Sequence, residues 1–129
     1  MKVLLDTNAY VRLLDGDTQV RDVLAKASTV FVSSVVLGEL FVGFKGGTKE
    51  RKNRDVLERF LASPSVRVVD VTTETAEVFA AVMDSLRKAG KPIPTNDVWI
   101  ASHALEHGAA VVTFDKHFVA VPGVRLAFF

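Results

Sequence analysis

Four acids, Asp6, Glu39, Asp97 and Asp115, each stand beside an apolar run. Asp6 follows VLL, Asp115 follows AVVTF, and Asp97 lies in the opening turn of NDVWIASHALEH. Glu39 is the one charged residue between Ala27 and Phe44, within VFVSSVVLGELFVGF. An isolated carboxylate among Leu37, Leu40, Phe41 and Val42 would be strongly disfavoured or would take up a proton. Glu39 is therefore expected to be buried in company. If the four acids converge, their repulsion raises their pKa values unless a cation neutralises them. Oxygen ligands of this kind select hard ions, Mg²⁺ or Mn²⁺, over zinc or copper. Such an ion bridges to phosphate oxygens and activates water, which points to phosphoester hydrolysis. Simpler roles also exist: Asp6 and Asp97 could cap helices, and Asp115 could cap a helix or close a turn.

Positioning these acids is the task of alternating strands and helices. Short valine-rich runs at 3–5, 30–32, 66–71, 110–114 and 124–128 predict strands. Helical periodicity predicts helices over 8–14, 18–27, 34–44, 49–62, 73–89 and 96–107. Gly16, Gly46–Gly47, Ser63–Pro64, Gly90 with Pro92, and Gly108 supply stop signals. Thr73 with Glu77, and Thr95 or Asn96 before Asp97, read as helix starts. The pattern predicts an α/β domain, a three-layer α/β/α arrangement around a mainly parallel sheet of about five strands. In such sheets ligands bind outside the carboxyl ends of the strands, where Asp6 and Asp115 fall.

Length and composition narrow the class further. With 129 residues and 49% hydrophobic content, one domain spanning 1–129 is expected. A net charge of +1 selects no partner by global charge. The absence of cysteine excludes disulfides, thiolate metal sites and cysteine nucleophiles, and fits a reducing compartment. The start MKVLLDTN has too short an apolar run for a signal peptide, and polar residues interrupt the apolar 27–44 segment. A cytoplasmic protein with no membrane span is expected. The run KGGTKERKNR, 45–54, holds five basic residues against Glu50. It reads as a solvated loop and helix start, or as a rim that touches phosphates.

LLDTN, SSVVLGELFVG and NDVWIASHALEHGAAVVTFDKHF, in this order and spacing, resemble the PIN-domain nucleases. The resemblance is strongest to the VapC-type toxins of prokaryotic toxin–antitoxin pairs and covers essentially the whole chain. It implies a Mg²⁺- or Mn²⁺-dependent endoribonuclease, dimeric, inhibited by a VapB-type antitoxin. By the same resemblance Asp6 and Asp97 are direct metal ligands, Glu39 is the third acid and Asp115 the fourth. Thr7, Asn8 and Thr113 would support the site. The helices at 8–14, 18–27 and 49–62 would form the antitoxin groove, and 45–54 would edge the RNA path. His103 departs from the family pattern, standing where a small residue is common. Lys116–His117 likewise replaces a more usual acidic or amide pair.

Other readings fare less well. HALEH, 103–107, fits the inverted zinc-protease pattern H-x-x-E-H, but no third ligand follows it. Ile100, Ala101, Ala104 and Leu105 mark a different face of that helix as the buried one, so the histidines are expected to be solvated. An aspartyl phosphatase would want an acid two residues after Asp6, where Asn8 stands. Trp99 and the phenylalanines read as core. The rival from another class is a catalytically weak binding module, which would hold RNA equally well in EDTA.

Overall fold

The computed structural model describes residues 1–128. The chain alternates as the apolar pattern predicts. It begins with β1 (Lys2–Leu5), α1 (Thr7–Leu14), α2 (Thr18–Lys26), β2 (Thr29–Ser33) and α3 (Ser34–Gly46). It continues through α4 (Glu50–Leu61), β3 (Val66–Val69), α5 (Thr73–Ala89), α6 (Thr95–His107) and β4 (Ala110–Val112). A short 3₁₀ helix, Lys116–Ala120, follows β4.

All pairings in the four-stranded sheet are parallel, in the order β3-β2-β1-β4. Val3 is opposite Val30 on one side of β1 and Ala110 on the other. Val3, Leu4 and Leu5 are all at most 1% exposed, so both faces of β1 are covered by helices. That explains why the strand reads as an unbroken apolar run rather than an alternating one. Each fully buried leucine of this kind contributes roughly 1.5–3 kcal/mol.

The fifth expected strand, 124–128, is reduced to one parallel bridge between Leu126 and Val111. The Val111 N–H donates to Arg125 O at 2.8 Å, and the Ala127 N–H to Val111 O at 3.0 Å. β3 is also shorter than its apolar run, because Asp70 and Val71 turn outward. The Asp70 carbonyl accepts from a His103 ring nitrogen instead of extending the sheet.

α5 and α6 pack against each other through Phe79 and Trp99, whose rings stack at 3.7 Å, and through Thr75 Oγ1, which donates to Glu106 Oε1 at 2.7 Å. Trp99 is only half-buried. α5 starts from a capping box of Thr72 and Thr75. α6 begins after Pro94 with no side-chain cap and ends at Gly108, whose φ of +64° closes the helix. β4 then follows within two residues. Among the described residues no helix is long and apolar enough to cross a membrane.

Candidate active site

β1 leads to β2 on one side while β4 lies on the other, so the direction of connection reverses between β1 and β4. A crevice opens at the carboxyl ends of strands at such a point. The Asp6 N–H continues the ladder by donating to Val112 O at 3.0 Å, which fixes Asp6 at the lip. Asp6 is 4% exposed. Its Oδ1 accepts from the Thr7 N–H at 2.9 Å and its Oδ2 from Thr113 Oγ1 at 2.8 Å. Burial is the largest influence on this carboxyl and pushes its pKa up to about 6, with the charges of Asp97 and Glu39 adding to the rise. The Thr113 and Thr7 hydrogen bonds oppose it.

Asn8 ties the first helix to the last strand. Its Oδ1 accepts from the Phe114 N–H at 3.1 Å, which sets the amide's orientation and leaves Nδ2 3.3 Å from Thr113 Oγ1. Thr113 Oγ1 also accepts from the Asp115 N–H at 3.0 Å. One hydroxyl thus locks Asp6, Asn8 and Asp115 into a single frame.

Asp97 occupies the third position of α6. It makes no capping bond there; its Oδ2 lies 3.3 Å from His117 Nδ1. Burial raises its pKa above the ordinary carboxylate value, and the charges of Asp115 and Glu39 push the same way while His117 pulls it back. Asp115 does cap: its Oδ1 accepts from the His117 N–H at 2.9 Å at the start of the 3₁₀ helix. The same oxygen is 3.0 Å from His117 Nδ1.

Glu39 is half-buried, not enclosed as the apolar sequence around it suggests. α3 is apolar on most sides, but Gly38 and Val42 face outward and leave the carboxylate at the rim. Thr7 Oγ1 donates to Glu39 Oε1 at 2.6 Å, and Asn96 Nδ2 donates to Oε2 at 3.4 Å. Asn96, read from sequence as a helix start, serves this carboxylate rather than its own helix.

The four predicted acids therefore border one crevice through contacts and mutual charge. Among the described residues the tightest potential ligand set is Asp97, Asp115 and His117, whose donor atoms all lie within 4.8 Å of one another. The like charges that push up Asp6 and Asp97 would be relieved by a cation between them, and hard oxygen donors fit a divalent ion. Sequence reasoning did not assign His117 a role. The signal was present in the D-x-H spacing, since a tight turn after Asp115 folds the ring back onto it.

His103 lies outside this cluster. It is fully buried, not solvated. Its Nε2–H donates to Asp70 O at 3.1 Å, and its Nδ1 lies 2.9 Å from Ser33 Oγ. Ser33 Oγ already accepts from the Val35 N–H, so the hydroxyl donates to the ring. The ring is neutral, its pKa lowered mainly by burial. Both nitrogens are occupied, which removes His103 and His107 as a zinc pair. A cavity of about 830 Å³ between α3 and α4 shares no lining residue with the acids.

A parallel α/β sheet with acids gathered at its switch point is an arrangement able to hold a divalent cation at a ligand-binding crevice. The PIN domain family matches residues 3–124. Ribonuclease VapC2 of Rickettsia felis is 31% identical, covering 98% of this chain and 96% of that protein. The tRNA(fMet)-specific endonuclease VapC of Salmonella typhimurium is 29% identical over 98% of this chain and 96% of its own length. The crystal structure of VapBC2 from Rickettsia felis, bound to a promoter DNA fragment, superposes with a TM-score of 0.86 at 29% identity. That match covers 98% of this chain and 97% of the other. The chain belongs to the PIN-domain family, among its VapC-type toxin ribonucleases.

Proposed function

We propose that this protein is a divalent-metal-dependent endoribonuclease acting as the toxin of a toxin–antitoxin pair, with the whole chain working as one PIN unit. The observation that carries the reading is the meeting of Asp6, Glu39, Asp97 and Asp115 at the β1–β4 crevice of a PIN domain. These four would hold Mg²⁺ or Mn²⁺. When bound, the cation polarises the scissile phosphate and makes a water nucleophile available near neutral pH.

The chain's own residues supply the positioning. Thr113 and the Thr7 N–H hold both oxygens of Asp6. The Thr7 hydroxyl and Asn96 aim Glu39. Asn8 fixes the backbone that presents Asp115. Attack by water leaves 5′-phosphate and 3′-hydroxyl ends and makes no use of the 2′-hydroxyl.

A VapB-type antitoxin is the proposed inhibitor. Val11 and Leu14 on α1 and Val42 on α3 are exposed, and the groove between α3 and α4 adds Phe41 and Leu57. The groove also carries Glu50, Arg51, Arg54, Asp55 and Glu58, so a partner segment laid there would meet charged as well as apolar surface. The basic 45–54 segment is partly neutralised by Lys45–Glu50 and Arg54–Glu50 pairs, so it is proposed as an edge of the RNA path rather than its floor. A homodimer in the cytoplasm completes the reading.

The test is cleavage of an RNA pool that includes tRNA, by wild type and Asp97→Asn, in Mg²⁺, Mn²⁺ and EDTA. Selective cuts by wild type with metal alone are expected. Equal behaviour of both proteins, with RNA retained in EDTA, would favour a binding module.

A further inference from the structure

His117 is half-exposed, yet its Nδ1 is placed between two carboxylates, 3.0 Å from Asp115 Oδ1 and 3.3 Å from Asp97 Oδ2. Two independent elements create this placement. α6 delivers Asp97 from its first turn, and the 3₁₀ helix delivers Asp115 and His117 from its start. Within the latter, Asp115 accepts the His117 N–H, so the backbone turn itself sets the ring beside its neighbour's carboxylate. The three donor atoms lie within 4.8 Å of one another, close enough for one ion to take all three.

We infer that His117 is a metal ligand in its own right, making the centre a mixed nitrogen–oxygen site that favours Mn²⁺ over Mg²⁺. The inference rests on the metal-dependent reading of this crevice and adds a ligand to it. Mg²⁺ holds to oxygen donors and its own waters, whereas first-row transition ions gain from an imidazole. Coordination uses the Nδ1 lone pair, so the Nδ1 proton shared with the carboxylates moves to Nε2 or to solvent. The contrasting role is a plain hydrogen-bond donor that holds Asp97 and Asp115 in place. That role would serve every divalent ion alike.

The discriminating experiment titrates Mn²⁺ into the purified full chain and reads its binding by electron paramagnetic resonance. Pulsed measurements on the same samples detect directly coordinated ¹⁴N. Mg²⁺ affinity is obtained by competition. Wild type is expected to show imidazole nitrogen coupling. His117→Asn keeps a hydrogen-bond donor but should lose the coupling and weaken Mn²⁺ about tenfold. Its Mg²⁺ affinity should change by less than about twofold. Circular dichroism checks that the variant is folded, as its exposed position predicts. Bound Mn²⁺ without nitrogen coupling in wild type, or an equal loss of both ions in His117→Asn, overturns the ligand assignment alone. Failure of wild type to bind Mn²⁺ at all overturns the metal reading with it.

Discussion

Helix α6 carries two ionisable side chains inward, Asp97 in its first turn and His103 six residues later, about 9 Å along the axis. His103 is fully enclosed and has a partner for each nitrogen, from the end of β2 and from the residue after β3. Asp97 faces a crevice that it shares with three other acids, and its neighbours Asp115 and Glu39 oppose its charge. Burial shifts both groups toward neutrality, but only His103 is neutral and satisfied without help. A polar group whose partners are all supplied by the fold is architecture. One whose partners are short by a positive charge is a place for a ligand.

This contrast can be broken most severely at the crevice. Asp6→Asn should lower RNA cleavage by about a thousandfold or more while the circular dichroism spectrum stays native. An active Asp6→Asn enzyme would remove Asp6 from the site. At the other location the effect should fall on stability. His103→Ala leaves Ser33 Oγ and the Asp70 carbonyl without their partner and opens a cavity, at a cost of about 3 kcal/mol in urea unfolding. Cleavage per folded molecule should not change, and a selective loss of activity would show that His103 belongs to the chemistry.

The pH dependence of the metal-free protein separates the two regions by sign. Asp6 has a folded pKa of about 6, above its unfolded value. Its contribution is present below about pH 4 and is lost as pH rises through 6, a decline of roughly 3 kcal/mol. His103 has a lowered folded pKa, so its contribution is present above the unfolded histidine value and is lost as pH falls. Urea unfolding from pH 4 to 7 should therefore show a steeper rise of stability with pH in Asp6→Asn than in wild type. Parallel curves would contradict the raised Asp6 value.

The smallest effect concerns a group that neither region explains. Tyr10 is 1% exposed, its ring sits edge-on to Phe60 at 5.4 Å, and its hydroxyl has no partner among the described residues. Tyr10→Phe should raise stability by about 1 kcal/mol in the same urea assay. A loss instead would mean that the hydroxyl is satisfied in solution.

Much of the fold was legible because buried parallel strands read as uninterrupted apolar runs, as VLL and AVV do. The acids were legible for the same reason, since each interrupts or ends such a run. What failed to show was pairing across sequence distance. Nothing near His103 announces Ser33, 70 positions away, so the ring looked solvated. Glu39 looked enclosed because the outward positions Gly38 and Val42 are themselves apolar or small. Asn96 looked like a cap because local rules cannot see Glu39, 57 positions away. The segment at 124–128 looked like a strand, but after Pro122–Gly123 it meets β4 at one bridge only.

The first and last strands of the sheet lie side by side, so Asp6 takes a hydrogen bond from Thr113, 107 positions later. A growing chain that stops short of β4 has no neighbour for the outer edge of β1 and carries neither Thr113 nor Asp115. Contacts this distant in sequence form only when both ends are free to meet. The crevice thus cannot assemble until β4 has paired with β1 and Thr113 has reached Asp6. A chain that has grown only as far as α6 holds Asp6, Glu39 and Asp97 but lacks both the fourth acid and the hydroxyl that fixes Asp6.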